Sequence, residues 1–327
     1  MIDMKKIYIV STPYHLLISI TKTILEKRVG IDEIVIYNFH ISQDTIKRTS
    51  SIFAKVYSCS FFDILAELIR LKIRISRISF LSNFVKNKFD EKFFQSKEIF
   101  IYNDDSYFGC FFNAQRMNYG LIEDGLNCFS HDTSKLKLHS KLYDLLGFSW
   151  KNFGYSQYTT SIEVNDMSKI CINHSNIVEI SRNQMFKSLS EEEIDSIARV
   201  FNYQPVSSPS IGDCFLLLTQ PLSEDGYVSH SEKIEIYKYL AQKYAVGTLY
   251  IKAHPREKED YTKIFPNAIV IKNNKIPIEL FLLKEKIHFK RVISTFTSAM
   301  DTIFCADEKI QMGLEWTLDF CKKKQKI

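Results

Sequence analysis

The sequence lacks the cysteine patterns that mark a zinc site or a disulfide framework. Its seven cysteines are scattered along 327 residues, are odd in number and include no C-x-x-C pair. It also lacks an apolar run of membrane-spanning length, and the short strand and proline turn after Lys5 and Lys6 do not resemble a signal peptide. We therefore expect a cytoplasmic protein without structural zinc or disulfide bonds.

A strong charge of one sign is lacking as well. The net charge is +5 with 25% charged residues, which excludes a strongly basic nucleic-acid binder but allows attraction to phosphates or to an anionic membrane surface. Apolar residues, by contrast, make up 45% of a chain that is longer than most single cores. We therefore expect two domains with a cleft between them.

Strand patterns alternate with helix patterns from the start of the chain. Residues 6–10 predict a strand, and Thr12 and Pro13 then supply an N-cap and a first helical turn. A strand at 33–37 and a helix over about 43–54 continue the alternation, which is typical of a parallel sheet.

The first turn lacks the G-x-G-x-x-G of a dinucleotide site. Thr12, Tyr14 and His15 nevertheless face the edge of the predicted sheet where ligands bind. For His15, a capped helix start is the alternative interpretation.

A polar, proline-bearing stretch within residues 188–212 indicates a connection between domains. We place the first domain at 1–185 and the second, in which the alternation begins again, at 186–327. The further predicted elements are a helix at 230–244 and strands at 169–172, 214–218, 248–251, 268–271 and 291–293, the last of the chain.

Residues 61–94 form a basic insertion in which arginine and lysine alternate with branched apolar residues. Such a segment either lies on an anionic membrane surface or forms an ordinary solvated helix face. We expect a peripheral contact with the inner face of the cytoplasmic membrane through this segment and through Lys322-Lys323-Lys324.

The stretch G-T-L-Y-I-K-A-H-P-R-E, residues 247–257, carries the first candidate for chemistry. Its β-branched and aromatic run predicts a buried strand, and ligands sit at the carboxyl ends of strands in open α/β sheets. His254 and Arg256 follow at that end, and Pro255 ends the strand. The alternative is a solvent-facing loop that happens to hold a histidine.

Two acidic pairs followed by glycine also end predicted strands. The first contains Asp124 and the second contains Glu224 and Asp225, with Gln220 just before it. A neighbouring carboxylate raises the pKa of such a group, and glycine allows the tight turn that exposes it, so each pair is a candidate base. The alternative is an ordinary acidic turn.

The last candidates predict a nucleotide site. Glu279 falls in the first turn of an apolar helix, where a carboxylate either accepts ribose hydroxyls or offsets the helix dipole. Thr297 and Ser298 open another helix, whose N-terminus and hydroxyls form a phosphate seat or a simple N-cap. With no D-x-D metal motif, protein groups must meet the charge of the leaving phosphate, which favours metal-independent glycosyl transfer.

Six short motifs, in this order, resemble the bacterial sialyltransferases of glycosyltransferase family 52, of the lipooligosaccharide and capsule type: S-T-P-Y-H-L-L, I-E-D-G, T-Q-P-L-S-E-D-G, K-A-H-P-R-E, K-I-P-I-E and S-T-F-T-S-A. The resemblance implies an α/β chain of GT-B fold, with two Rossmann-like domains. It also implies CMP-N-acetylneuraminic acid (CMP-Neu5Ac) as donor, a galactose-terminated acceptor in lipooligosaccharide or capsule, and inversion without metal or further cofactor.

The resemblance also implies roles for particular residues. His254 contacts the CMP phosphate as general acid, Thr297 and Ser298 hold that phosphate, and Glu279 binds the ribose. Arg256 and Gln220 are further candidates for donor binding.

The general base remains open between two positions. Family 52 points to Asp225, or to Glu224 beside it, whereas the marine-type sialyltransferases point to Asp124. In the lipooligosaccharide branch, an insertion that contacts lipid and forms a homodimer falls near 61–94. The alternatives are a GT-B transferase for another nucleotide sugar and a non-catalytic scaffold of polysaccharide assembly at the membrane surface.

Overall fold

The computed structural model describes residues 4–37, 41–59, 89, 91–104, 106–124, 154–170, 176–206, 212–273, 275–297 and 299–324. The chain divides into two compact units, Met1–Asn202 and Tyr203–Ile327. Within the described residues of the first unit, seven strands form one sheet in the order β3-β2-β1-β4-β5-β6-β7. These strands are β1 Lys5–Val10, β2 Glu33–Tyr37, β3 Lys55–Cys59, β4 Lys97–Ile101, β5 Tyr119–Ile122, β6 Thr159–Val164 and β7 Ile177–Glu179.

The described helices of the first unit lie between or after these strands. They are α1 Pro13–Leu25, α2 Gln43–Thr49, α3 Glu91–Phe94, α4 Tyr107–Ala114, α5 Arg182–Lys187 and α6 Glu191–Phe201, together with a 3-10 turn at Met167–Lys169.

Apolar residues on both of its faces explain why β1 lies inside the sheet, as the third of its seven described strands. Ile7, Tyr8, Ile9 and Val10 are all buried, as expected for a parallel strand that is covered on two sides. β1 pairs in parallel with β2 and with β4. The predicted β-turn-α opening is confirmed, because Thr12 caps α1 by accepting a hydrogen bond from the backbone N–H of His15.

The second unit has a smaller parallel sheet. In its described part, five strands take the order β10-β9-β8-β11-β12. They are β8 Cys214–Leu218, β9 Thr248–Lys252, β10 Ile269–Val270, β11 Phe289–Ser294 and β12 Ala306–Gln311. The helices are α7 His230–Tyr244, α8 Tyr261–Ile264, α9 Ile278–Glu285, α10 Ala299–Thr302 and α11 Leu314–Lys324.

The continuous apolar run of β8 is buried throughout and pairs with β9 on one side and β11 on the other. Tyr250 of β9 packs at ring-centroid distances of 6.2 Å from Phe281 and 5.6 Å from Phe289, which joins α9 to the sheet. A capping box between Ser229 and Glu232 fixes the start of α7. The predicted helix 230–244 is therefore confirmed.

Three predicted elements were wrong in part. The strand expected at 169–172 is replaced by the 3-10 turn at Met167–Lys169, because Asp166 accepts the backbone N–H of Ser168 at 3.0 Å; residues 171–175 lie outside the described ranges. The helix expected over 43–54 ends at Thr49. The strand at 291–293 is not the last, since the largely exposed β12 pairs with β11 beyond it.

The division between the units differs from the boundary expected after residue 185. Helix α6 packs against α1 and α2, and Arg48 donates to the backbone oxygen of Val200 at 2.9 Å. These contacts keep α6 in the first unit. In the described part of the chain, no helix is both long and apolar enough to cross a membrane. Most of the basic insertion at 61–94 lies outside the described residues.

Candidate active site

The candidate residues of the second unit cluster at the carboxyl edge of its sheet. Gln220 lies just after β8, His254 lies just after β9, and Thr297 lies just after β11. Because β8 pairs in parallel with both neighbours, these three strand ends share one edge. That edge is where open α/β sheets bind ligands.

His254 is held by one side chain and one backbone group of its own loop. Its N–H donates to the carboxylate of Glu257 at 2.8 Å, and its ring nitrogen Nδ1 accepts the backbone N–H of Arg256 at 3.2 Å. Burial, and then the positive charges of Arg256 and Lys252, lower the pKa of His254 to about 4. The ring is therefore neutral at pH 7, with its proton on Nε2.

Arg256 pairs with one of the two candidate bases. Its guanidinium binds both carboxylate oxygens of Asp225, at 2.5 and 2.9 Å. The pair is partly exposed, with 52% of the Arg256 side chain and 27% of the Asp225 side chain accessible. Hydrogen bonding to Asp225 raises the pKa of Arg256. Both oxygens of Asp225 are thus engaged by a cation.

Glu224, the alternative beside Asp225, is also in an ion pair. The Nζ of Lys233 lies 2.9 and 3.0 Å from its two oxygens. Partial burial raises the pKa of Glu224, but the hydrogen bonds and charge of Lys233 outweigh that effect and hold it below the usual range. Neither carboxylate of this acidic turn is without a counter-charge.

Glu279 lies in the first turn of α9 and is buried, with 3% of its surface exposed. Its carboxylate accepts a hydrogen bond from the Thr302 hydroxyl at 2.5 Å. Burial raises the pKa of Glu279 and lowers that of Lys252 to about 8, while the opposite charges of the two groups partly offset both shifts. Glu279 is therefore a buried acceptor whose charge interacts with that of the buried Lys252.

The remaining donor-side candidates are engaged locally. Thr297 accepts the backbone N–H of Ala299 at 3.3 Å, as an N-cap does at the start of α10. Ser298 lies outside the described residues. The side-chain amide of Gln220 donates to the backbone oxygen of Thr219 at 2.9 Å, and its backbone N–H donates to Tyr237 at 2.6 Å.

The first unit has a histidine–aspartate pair at the carboxyl edge of its own sheet. The Nε2 of His15, at the start of α1, is hydrogen-bonded to Asp124, which follows β5. The backbone N–H of Ser11 donates to Nδ1 of His15 at 3.3 Å, so the ring carries its proton on Nε2. The ring is buried and stacks on Tyr102 at 4.2 Å, whereas 35% of the Asp124 side chain is exposed.

Sequence reasoning identified Asp124 but did not include His15 among the site residues. The signal was present, because His15 opens the helix after the first strand and was expected at the ligand edge. Glu123, the other member of the acidic pair, is buried and accepts the backbone N–H of Asn165 at 2.5 Å. It therefore has a structural role in the sheet edge.

A metal site does not emerge from the residues that the structure describes, since no three His, Cys, Asp or Glu side chains among them are grouped to hold an ion. The cysteines for which thiols are described, Cys59, Cys214, Cys305 and Cys321, are free.

The fold of this chain is similar to that of several solved structures. The α/β-galactoside α-2,3-sialyltransferase of Photobacterium phosphoreum has a TM-score of 0.56 at 14% identity, covering 93% of this chain and 88% of that one. The 2,6-sialyltransferase of Photobacterium sp. JT-ISH-224, solved with CMP and lactose, has a TM-score of 0.56 at 12% identity, covering 93% and 71%.

A UDP-GlcNAc 2-epimerase of Neisseria meningitidis, solved with UDP-GlcNAc, has a TM-score of 0.51 at 11% identity, covering 99% of this chain and 92% of that one. At such identities the likeness concerns the fold, and the expected GT-B class is confirmed.

Sequence comparison is more specific. An uncharacterized protein of Haemophilus influenzae is 33% identical over 204 residues, which are 62% of this chain and 65% of that protein, just under two thirds of its length. The family model for glycosyltransferase family 52 matches residues 40–311, a range that contains every candidate residue from Asp124 to Ser298. The chain therefore belongs to glycosyltransferase family 52.

Proposed function

We propose that this protein is a sialyltransferase that moves N-acetylneuraminic acid from CMP-Neu5Ac to a galactose-terminated glycan of lipooligosaccharide or capsule. The observation that carries the proposal is that His254, Glu279 and Thr297 lie at strand ends or helix starts around one parallel sheet, in a chain of family 52. Two structures of the same fold, a galactoside sialyltransferase and a sialyltransferase complex with CMP and lactose, support the donor and acceptor classes.

On the donor side, Glu279 accepts the ribose hydroxyls, and Thr297 with Ser298 holds the phosphate at the start of α10. His254 donates a hydrogen bond from Nε2 to the phosphate oxygen that leaves. This role differs from that of an imidazolium acid, because Nδ1 already accepts the Arg256 N–H. A phosphate monoester, whose second pKa is about 6, leaves at neutral pH without full protonation. Protein groups thus meet the charge of the leaving group without metal.

Asp124 is the general base in this proposal. One of its oxygens is bound by His15, which orients the carboxylate, and 35% of the side chain is exposed to an incoming hydroxyl. Asp225 is the weaker candidate because Arg256 engages both of its oxygens. Asp124 removes the proton of the acceptor hydroxyl, whose oxygen bonds to the anomeric carbon as the bond to phosphate breaks and CMP leaves. This single displacement inverts the anomeric configuration.

A second candidate is a GT-B transferase for another nucleotide sugar, since the same fold occurs in an epimerase solved with UDP-GlcNAc. A thermal-shift comparison of CMP, UDP and GDP at equal concentrations separates the candidates, because a nucleotide that binds the folded chain raises its Tm. We expect CMP alone to stabilise the protein. Stabilisation by UDP or GDP but not by CMP would support the second candidate.

We also propose that the protein makes a peripheral contact with an anionic membrane surface. Support comes from the basic sequence at 61–94 and from Lys322, whose side chain is 72% exposed at the end of α11. Such a contact brings the enzyme to a lipid-linked acceptor. Binding to anionic vesicles tests this part separately from catalysis.

A further inference from the structure

The buried carboxylate of Glu257 is surrounded by three hydrogen-bond donors and one cation. Its oxygens accept the backbone N–H of His254 at 2.8 Å, the Tyr261 hydroxyl at 2.6 Å and the Thr219 hydroxyl, and the Nζ of Lys233 lies 3.6 Å away. Only 7% of Glu257 is exposed. Hydrogen bonds to a charged acceptor are stronger than those between neutral groups, so this carboxylate is a firm anchor.

Lys233 supplies the compensating charge from the adjacent helix α7. Its side chain is completely buried, and its ammonium contacts Glu224, Glu257 and Glu259. A buried cation of this kind is retained only where several acceptors surround it. Lys233 therefore ties the acidic turn after β8 to the loop after β9.

The same loop closes on itself around His254. The backbone N–H of Glu257 donates to the His254 carbonyl oxygen at 3.0 Å, and the backbone N–H of Arg256 donates to the imidazole Nδ1 at 3.2 Å. The carboxylate of Glu257 thus holds the backbone of His254, while the turn that it stabilises holds the ring. Without the Glu257 carboxylate, neither the backbone of His254 nor its imidazole ring is held in place.

We propose that Glu257, kept in place by Lys233, is a positioning residue that fixes the imidazole of His254 with Nε2 as its donor nitrogen. Thr219 donates to the same Glu257 oxygen that accepts the His254 N–H, so the anchor also connects the end of β8 to the loop after β9. The consequence for catalysis rests on the proposed function. The consequence for the ring does not depend on any substrate.

Glu257→Gln tests the inference with two readouts. With CMP-Neu5Ac and lactose, we expect kcat to fall about 10- to 100-fold, as misplacement of a reacting group does, while the KM for the donor changes less than about threefold. In 15N-histidine spectra, with His254 identified by His254→Asn, we expect one tautomer in the wild type and exchange between both in Glu257→Gln. Unchanged kcat and an unchanged tautomer would overturn the inference.

Two further variants sharpen the test. Thr219→Val serves if Glu257→Gln does not fold, because it removes one donor and leaves the carboxylate. We expect its kcat to fall by about two- to tenfold, and an unchanged kcat would also contradict the inference. His230→Gln is the matched control, because His230 contacts Glu259 at 3.1 Å at the exposed rim of the same ion cluster and should leave both readouts unchanged. If the wild type shows no turnover, the proposed function fails, whereas the tautomer comparison still decides the role of Glu257.

Discussion

The backbone N–H of Arg256 points at the imidazole of His254 and donates to Nδ1 at 3.2 Å. This contact assigns the ring proton to Nε2 and opposes a second proton on Nδ1, since two N–H groups would then face each other. Burial and the charges of Arg256 and Lys252 act in the same direction by lowering the pKa of His254 to about 4. In the proposed mechanism, His254 is therefore a neutral histidine that donates a hydrogen bond.

The first prediction concerns stability against pH. The folded chain binds a proton at His254 only near pH 4, whereas the unfolded chain binds one near the ordinary value of 6.5. Because the unfolded state binds this proton more tightly, protonation lowers the free energy of unfolding. The stability contributed by neutral His254 is therefore fully present above about pH 6.5 and is lost as the pH falls toward 4. Urea unfolding at pH 7 and pH 5 should show a smaller loss for His254→Asn than for the wild type. Equal losses would contradict the depressed pKa.

The second prediction separates the two candidate bases. Asp124→Asn should lower kcat by about 10²- to 10⁴-fold, the usual contribution of a general base, while CMP still raises the Tm. Asp225→Asn should lower kcat by less than about tenfold, because it weakens a partly exposed ion pair with Arg256. The reverse order of the two effects would assign the base to Asp225.

The histidine that is hydrogen-bonded to Asp124 gives a related expectation. His15→Asn removes the hydrogen bond to Asp124 and the stacking on Tyr102, so kcat should fall by about tenfold while the base itself remains. Steady-state kinetics at saturating donor measures this effect. A kcat equal to that of the wild type would show that Asp124 works without His15.

The third prediction concerns nucleotide binding by Glu279. Glu279→Gln should weaken CMP binding by about 10- to 100-fold, since in the proposed site the Glu279 carboxylate accepts the ribose hydroxyls. Glu285→Gln, on the same helix α9, is the control. The Glu285 carboxylate accepts hydrogen bonds from the Tyr203 hydroxyl and the backbone N–H of Val206, so its loss should affect stability and not CMP affinity. Calorimetric titration with CMP measures both. Equal affinities of Glu279→Gln and the wild type would exclude Glu279 from the ribose site.

Much of the fold could be predicted because its central strands are apolar on both faces and its helices begin at clear caps. The buried runs of β8 and β9 and the capping box at Ser229 are local signals that tertiary contacts then reinforce. β12 could not be predicted, because an edge strand with four charged or polar residues exposed resembles a loop. The place of α6 was missed because its packing partners, α1 and α2, are distant in the sequence.

The sequence predicts those site residues that directly follow a buried strand. His254 and Asp124 follow buried strands, so the sequence indicates their place at a sheet edge. Their partners depend on pairings over long sequence separations, such as His15 with Asp124, for which no local pattern exists. Likewise, only the folded loop shows that Arg256 engages Asp225.

The fourth prediction concerns the membrane. Vesicles containing anionic lipid should bind the protein in flotation assays, and neutral vesicles should not. Replacing Lys322, Lys323 and Lys324 by glutamate, or Arg74 and Arg77 by glutamate, should weaken binding, because each basic residue near an anionic surface contributes about 1 kcal/mol. Binding that is insensitive to both sets of changes and to salt would contradict an electrostatic contact.

Release of CMP from CMP-Neu5Ac by the purified protein, with and without a galactoside acceptor, tests the proposed activity most directly. We expect rapid release only when the galactoside is present, together with a sialylated product of inverted anomeric configuration and a large loss of rate in Asp124→Asn. No release of CMP under either condition, in a protein that is folded by its thermal transition, would contradict the assignment as a sialyltransferase.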